Sequence, residues 1–238
     1  MPRDDDRAAR ELREVRIERG VTPAAGSVIY RSGRTAVLCT AISEESVPRW
    51  MEGRGGGWLT ATYEMLPAST PMRKARKATP DGRSVEIQRL IGRSLRAAVD
   101  LEALGPRTIS IDCHVLWADA GTRTAAINGG YVALCDLIAD LVDRRVITES
   151  PIKRSIQAVS VGLLAGEPTL DLCYKEDAGA DVDLNVVAAN AEDLVEVQGT
   201  AEGKPFSREQ LDTLVELAMK GMAEIRIAQE QALTEGRS

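Results

Sequence analysis

Residues 108–142, TISIDCHVLWADAGTRTAAINGGYVALCDLIADLV, contain the change of pattern that decides the fold. In the first ten residues the apolar side chains alternate with the polar ones of Ser110, Asp112 and His114. This two-residue period predicts a strand with one buried face. From Thr122 to residue 142 the pattern is that of a helix. The stretch therefore predicts a strand followed directly by a helix.

Two stretches on either side of this unit resemble each other. Residues 26–42 predict a strand, a tight turn at Ser32–Gly33 and a second strand. Residues 155–177 predict the same arrangement, with the turn at Ala165–Gly166. The chain therefore contains a weak internal duplication.

Each half continues into further β-structure and a helix. The first half contains a helix predicted from Ser84 to Leu104. In the second half, a turn over Asn190–Asp193 joins two strands, and Ser207 with Gln210 forms a capping box at the start of the last helix. Strands and helices in this order predict an α+β fold.

The two halves are expected to pack as one body, since no segment between them resembles a linker. We therefore predict a single domain over residues 1–238, with half-repeats at roughly 20–145 and 150–230.

Composition excludes several classes of protein. The hydrophobic fraction of 44% is typical of a globular chain. No apolar run is expected to span a membrane, and the charged start of the chain is unlike a signal peptide, so we predict a cytoplasmic protein without a membrane partner. The four cysteines lack CxxC spacing and are expected to be reduced thiols inside apolar strands or helices.

The single histidine limits the possible chemistry. His114 lies on the polar face of its predicted strand, so we expect a surface or interface residue and not a catalytic base. A histidine metal cluster cannot form, and a Ser-His-Asp triad would have to use this residue. The chain also lacks GxxxxGK[ST] and GxGxxG motifs, which excludes the common nucleotide-binding loops.

Charge is distributed unevenly along the chain. The net charge is −6, but residues 1–100 hold 18 Lys and Arg against 13 Asp and Glu, whereas residues 101–238 hold 12 against 23. The basic half includes MRKARK at 72–77. A local basic patch on an acidic body suits a protein that binds a polyanion at one place, and a solvated surface is the alternative explanation for such a run.

The start of the helix at Thr122 has the features of an anion site. Helix N-termini carry unpaired N–H groups and partial positive charge. Gly121 permits close approach of an anion, Thr122 adds a hydroxyl at the cap, and Arg123 adds a guanidinium that can hold two phosphate oxygens. Arg83 follows a glycine at the start of another helix. An ordinary capped helix remains the alternative explanation.

A third group of residues is acidic. Asp177 is expected to end a strand, Gly179 to allow a sharp turn, and Asp181 and Asp183 to share one face of the next strand. Carboxylates placed so closely need a cation or bound protons, and Mg²⁺ prefers such ligands together with phosphate oxygens. An acidic turn open to water is the alternative. Together, the phosphate, metal and basic features favour phosphoryl transfer on nucleic acid.

Four stretches carry a resemblance to a known family: GRSVEIQRLIGRSLRAAVDLEALG, VLWADAGTRTAAINGGYVAL, AVSVGLLAGEPTLDLCYKEDAGADVDLNVV and VEVQGTAEGKPFSREQL. They resemble the ribonuclease PH family of phosphorolytic 3′ exoribonucleases, in family order from about residue 26 to the last helix. The resemblance implies two packed βαβα-type halves with mixed sheets, like domain 2 of ribosomal protein S5. It also implies a homohexameric ring built as a trimer of dimers.

The implied activity is removal of 3′-terminal nucleotides from tRNA precursors with inorganic phosphate as co-substrate. By motif, Arg83, Thr122 and Arg123 match the family's phosphate-binding residues. Asp177 and Asp183 match its catalytic aspartates, which are also the expected Mg²⁺ ligands. Arg73 and Arg76 match positions that contact the tRNA acceptor end.

The chain departs from the family pattern at several positions. Where the family has CDVLQADGGTRT and YGMLPRST, this chain has His114, Trp117, Ala120, Glu64 and Ala68. Ala120 is expected to need a negative φ that glycine does not. The lost arginine at 68 and the added carboxylate at 64 are expected to weaken RNA binding more than chemistry.

Two other functions stay open at this point. The chain could be a non-catalytic RNA-binding subunit of an exosome-like ring, although its arginines and aspartates argue against this. It could also act on small phosphorylated molecules and use the basic patch for subunit contacts.

Overall fold

The structure is a computed structural model that describes residue 3, residues 5–75, residue 79 and residues 81–235. The elements of the first half are β1 (Val15–Arg19), β2 (Gly26–Ser32), β3 (Thr35–Glu44), a 3₁₀ turn (Arg49–Met51), β4 (Trp58–Met65), α1 (Gly82–Arg96), α2 (Leu101–Leu104), β5 (Thr108–Trp117) and α3 (Thr122–Asp143). Those of the second half are β6 (Ile156–Leu164), β7 (Glu167–Leu170), α4 (Tyr174–Asp177), β8 (Val182–Ala189), β9 (Asp193–Ala201) and α5 (Arg208–Thr234).

Each half contributes one sheet. The first sheet has the strand order β1-β2-β3-β5-β4. It is mixed, because β4 pairs with β5 in parallel, whereas every other pair of neighbouring strands is antiparallel. The second sheet has the order β7-β6-β8-β9 and is antiparallel throughout. The predicted α+β class is confirmed.

Helix α3 lies at the centre of the molecule. It contacts β2 and β3 of the first sheet and β6 of the second. A Cβ added at Gly129 would lie 2.8 Å from Cβ of Tyr30, so only glycine allows the helix to approach β2 this closely. By length and composition alone α3 could cross a membrane, which the sequence analysis did not anticipate, but 78% of its most apolar window is buried. Such burial is typical of a core helix.

Two hydrophobic cores lie on either side of this arrangement. The larger one fills the space between the first sheet, α1 and α3, and the smaller one lies between the second sheet and α5. A buried amide joins them: Asn128 of α3 donates to the carbonyl of Ala158 and accepts from its N–H, both at 2.8 Å. Since both bonds are made inside the core, the relative position of the two halves is specified as well as stabilised.

The local structure agrees with the sequence at most boundaries and differs at a few. The Asn190–Asp193 turn and the capping box of Ser207 and Gln210 are confirmed. The first hairpin turns at Gly33 and Arg34, one residue later than predicted, with Gly33 at φ +55°. Residues 84–104 form α1 and α2, not one helix.

The break between α1 and α2 has a local cause. Asp100 lies between them in extended conformation, and its carboxylate accepts hydrogen bonds from the backbone N–H groups of Glu102 and Ala103. A new helix therefore begins there. Asp177 ends helix α4 and not a strand, and Cys173 is the residue before α4 and not part of a core strand. Cys39 and Cys113 are buried, and all four thiols are free.

A buried ion pair joins the start of the chain to the second half. Arg13 donates to the Asp171 carboxylate at 2.6 Å through Nη2 and at 3.1 Å through Nε, and their side chains are 3% and 6% exposed. Ser32 donates to the same carboxylate at 3.0 Å. Burial by itself would raise the pKa of Asp171, but the charge and hydrogen bonds of Arg13 outweigh it and hold the pKa below the ordinary 3.8.

We expect Asp171→Asn to lower the free energy of unfolding by about 3–5 kcal/mol at neutral pH, because it leaves the Arg13 cation buried without its partner. A carboxylate with a depressed pKa in the folded state stabilises the fold above its unfolded pKa and loses that effect as pH falls through its folded pKa. The difference in free energy of unfolding between the wild-type protein and the variant should therefore decrease below about pH 4. Denaturant unfolding between pH 7 and pH 2 measures both effects, and a gap independent of pH would contradict the assignment.

Candidate active site

The N-terminus of α3 is open to an anion. Its N-cap is Gly121, in the left-handed conformation at φ 61°, and no side chain caps the helix there. Thr122 is the first helical residue and not the cap, and its buried hydroxyl lies 2.8 Å from the Tyr63 hydroxyl. The first-turn N–H groups of α3 are consequently not occupied by a side-chain cap.

Ala120 contradicts the sequence expectation of a negative φ, since its φ is +56°. The conformation is held by the buried Thr35, whose hydroxyl donates to the Ala120 carbonyl at 2.6 Å and accepts from the N–H of Asp119 at 3.1 Å. The left-handed backbone is therefore imposed by tertiary contacts, at a cost of about 1–2 kcal/mol for a residue with a Cβ.

Ala120→Gly should relieve this strain and raise Tm by about 2–4 °C, the shift expected for about 1 kcal/mol in a chain of this size. Activity should be unchanged. The matched control is Ala118→Gly. Ala118 is not among the positive-φ residues, so glycine at this position should lower the stability of the protein. A lower Tm for Ala120→Gly, measured by differential scanning calorimetry, would contradict the strain.

The two arginines predicted to bind phosphate approach from different helices. Arg83 is exposed in the first turn of α1, whose N-terminus is already capped by Asp81 through the N–H of Ser84 at 2.8 Å. Arg123 follows Thr122 in α3 and its side chain is 16% exposed. The N-terminus of α3 is therefore the candidate anion site, and Arg83 is the candidate for a second positive charge beside it.

Arg123 is held in place by both halves of the chain. Its Nη1 donates to Oε1 of Gln198 on β9 at 2.5 Å and lies 3.5 Å from Oε2 of Glu86 on α1. The amide of Gln198 donates in turn to Oε1 of Glu86 at 3.2 Å. This triangle fixes the direction of the guanidinium before any anion arrives.

The two aspartates lie on opposite sides of a turn in the second half. Asp177 is the last residue of α4, and Asp183 is on β8, where it is half-buried and opposite Gly162 and Thr200. Desolvation raises the pKa of Asp177, and the charge of Asp183 adds to the increase. Desolvation also raises the pKa of Asp183, as does the nearby charge of Glu202.

The structure brings most of the predicted site residues together. The charges of Arg83 and Arg123 both act on the pKa of Asp177 and of Asp183, in the direction opposite to desolvation. The arginines also act on Tyr63, which contacts Thr122. The seam between the two halves therefore brings five residues of α1, α3, α4 and β8 within electrostatic or hydrogen-bonding range of one another: Arg83, Thr122, Arg123, Asp177 and Asp183.

The prediction that Asp181 shares one face of a strand with Asp183 is wrong. Asp181 is exposed and precedes β8, so it does not alternate within the strand. Within the part of the chain that the structure describes, no group of three or more His, Cys, Asp or Glu side chains could hold a metal ion. Of the three predicted carboxylates, Asp177 and Asp183 interact with the two arginines.

The predicted RNA-binding arginines are placed only in part. Arg73 is exposed on the loop between β4 and α1. Arg76 lies outside the described residues.

The departures from the family pattern lie mostly on the surface. His114 and Glu64 are neighbours on β5 and β4, 3.9 Å apart, and both are partly exposed. Ala68 is exposed, and Trp117 is 57% exposed. His114 is therefore a surface residue, as predicted.

Sequence reasoning missed Tyr63, Glu86 and Gln198, which contact the predicted phosphate residues. Glu86 lies three residues after Arg83 on α1, but its contact is with Arg123 on α3, so helical spacing gives no signal for it. Tyr63 and Gln198 lie on strands far along the chain, and no local pattern indicates them.

An open helix N-terminus with two arginines, facing two aspartates with raised pKa values, defines a class: an α+β enzyme that handles phosphate groups. Comparison with known proteins gives the family. The models of the 3′ exoribonuclease family match residues 11–139 (domain 1) and residues 155–221 (domain 2). The chain belongs to the 3′ exoribonuclease family.

Individual relatives agree with the family models. The chain is 55% identical over 233 residues to Ribonuclease PH of Synechococcus elongatus, covering 97% of this chain and 98% of the relative. It is 52% identical over 233 residues to Ribonuclease PH of Cyanothece sp., with the same coverage of both chains.

Solved structures share the fold. Rice (Oryza sativa) Rrp46 matches with a TM-score of 0.80 at 20% identity, covering 98% of this chain and 100% of that chain. A chain of the Archaeoglobus fulgidus exosome with RNA bound to the active site matches with a TM-score of 0.79 at 22% identity, covering 94% and 91%.

Proposed function

We propose that this protein is a phosphate-dependent 3′ exoribonuclease that trims the 3′ ends of tRNA precursors and releases nucleoside diphosphates. The observation that carries the proposal is the convergence of Thr122 and Arg123 with Asp177 and Asp183, alongside Arg83. The full-length similarity to proteins named Ribonuclease PH supports it.

The proposed reaction begins with orthophosphate at the N-terminus of α3. Backbone N–H groups and the Arg123 guanidinium bind its oxygens, and Arg83 adds a second positive charge. A phosphate oxygen attacks the phosphorus of the last phosphodiester bond in line. The bond from that phosphorus to the 3′-oxygen of the preceding ribose breaks, and a nucleoside diphosphate leaves.

The aspartates act at the departing 3′-oxygen, which must gain a proton. An aspartate of ordinary pKa, near about 4, is a weak proton source at neutral pH, so a raised pKa brings a carboxyl closer to this role. Asp177 and Asp183 both have raised pKa values. Most of the catalysis comes from positioning and charge neutralisation.

The two carboxylates also fit Mg²⁺ as a cofactor. They repel each other, as the effect of Asp183 on Asp177 shows, and Mg²⁺ prefers one or two carboxylates together with phosphate oxygens and water. With the ion bound, Asp177 and Asp183 would both be ionised: they would hold the ion, which supplies neutralisation of charge on the phosphates, in place of donating the proton themselves.

We further propose a homohexameric ring, a trimer of dimers, in the cytoplasm and without a membrane partner. The ring is supported by the sequence resemblance and by the fold shared with exosome chains. The free thiols suit a reducing compartment. Sedimentation measures the assembly.

A 3′-extended tRNA incubated with the protein and Mg²⁺, with and without phosphate, tests the function. We expect nucleoside diphosphates only when phosphate is present. Release of monophosphates without phosphate would contradict phosphorolysis. Binding without products would favour a non-catalytic ring subunit, and no binding would favour a small phosphorylated substrate.

A further inference from the structure

The Asp119 carboxylate connects the phosphate-binding part of the site to the part that carries Asp177. We define the phosphate loop as residues 118–121, which lead into α3. Oδ1 of Asp119 in this loop accepts a hydrogen bond at 3.0 Å from the backbone N–H of Tyr174. Tyr174 is the first residue of α4, and Asp177 is the last. The phosphate loop is thus bonded directly to the helix that carries one of the two acids.

The backbone of Asp119 is fixed independently of its side chain. Its N–H donates to the buried hydroxyl of Thr35 at 3.1 Å, and its carbonyl accepts from Nη1 of Arg13 at 2.6 Å. Arg13 is itself held in the buried pair with Asp171. Removing the Asp119 carboxylate therefore leaves both backbone anchors of the loop in place.

Helix α4 depends on such outside contacts because it has only four residues. One isolated turn of helix is not stable by itself. Glu176 is held by the Arg3 guanidinium at 2.7 and 2.8 Å, which ties the helix to the start of the chain. The hydrogen bond that the N–H of Tyr174 donates to Asp119 also ties the helix to the phosphate loop.

We infer that Asp119 is a positioning residue that sets the place of Asp177 relative to phosphate bound at α3. The inference rests on the proposed function. Loss of the hydrogen bond between Asp119 and Tyr174 should leave phosphate binding intact, because neither Thr122 nor Arg123 takes part in that bond. The reacting groups should then be misplaced, and an error of about 1 Å can cost about a hundredfold in rate.

Two pairs of variants test this bond from both sides. Asp119→Ala removes the acceptor, whereas Asp119→Asn keeps an oxygen that can accept the same bond. Tyr174→Pro removes the donor N–H, and proline is tolerated at the first helical position and after the extended Cys173. Tyr174→Ala keeps the N–H and removes a side chain that is 65% exposed.

The readouts are kcat and the KM for phosphate with a 3′-extended tRNA, together with the melting temperature. Asp119→Ala and Tyr174→Pro should lower kcat by about ten- to a hundredfold with the KM for phosphate near the wild-type value. Asp119→Asn and Tyr174→Ala should retain most of the wild-type kcat. A purely structural role would lower the melting temperature without this split.

Unchanged kcat in Asp119→Ala and Tyr174→Pro would overturn the inference while the proposed function stands. So would a KM for phosphate that rises as much as kcat falls, or a folded Asp119→Asn protein that is as slow as Asp119→Ala. Failure of the wild-type protein to release diphosphates contradicts the proposed function and the inference with it.

Discussion

Arg123→Ala is expected to reduce phosphorolysis by about 10²–10³, the loss typical when one donor to a reacting oxyanion is removed. The guanidinium is already oriented by Gln198 and Glu86, so the wild-type site spends little free energy on ordering it when phosphate binds. RNA retention should be preserved, because the predicted RNA contacts lie elsewhere. Turnover at several phosphate concentrations and a filter-binding assay with tRNA measure the two effects.

Two matched variants sharpen this experiment. Arg144→Ala removes an arginine from the other end of the α3 region, where the side chain is 65% exposed and pairs with Asp140, and should leave turnover unchanged. Arg123→Lys keeps the charge but loses the planar fork, so an intermediate rate is expected. Equal losses of turnover and RNA binding in Arg123→Ala would assign the residue to RNA instead of phosphate.

Asp183→Asn is expected to lower kcat by about 10²–10⁴, the usual contribution of a positioned acid or base. The fold and the assembly should persist, because Asp183 is half-buried beside Asp177 and its charge raises the pKa of that neighbour. Removing the charge relieves repulsion instead of creating it. Single-turnover rates with saturating phosphate isolate the chemical step, and sedimentation checks the assembly.

Asp181→Asn is the matched control, since Asp181 has the same chemistry two residues earlier but is exposed outside β8. It should keep the wild-type rate. A near wild-type rate in Asp183→Asn would show that the carboxylate assignment is wrong, whereas equal losses in both variants would point to the charge of the turn as a whole.

Much of the fold could be predicted because its signals are local. Such signals depend on residues that are close in sequence, as in the alternation of β5, the start of α3 and the capping box of α5. Errors arose where a distant contact overrides the local preference. Ala120 is left-handed because Thr35 binds its carbonyl, a contact between residues 85 positions apart.

The candidate site was predictable as residue types but not as a geometry. The motifs indicated Arg83, Thr122, Arg123, Asp177 and Asp183, and the resemblance supplied their expected roles. The partners of Arg123 could not be foreseen, since Gln198 lies 75 positions away on the other half of the chain. Such contacts depend on strand register and on the packing of α3 between the sheets.

The sequence by itself determined the α+β class, the two halves, the main turns and caps, and the family to which the chain belongs. Only the tertiary structure decided that α4 and not a strand carries Asp177, that Asp181 is exposed before β8, and that Asp119 joins the phosphate loop to α4. The physical reason is the distance along the sequence over which each kind of interaction acts. Local sterics and periodicity act over a few residues, whereas the site forms where two sheets from different parts of the chain pack on one buried helix.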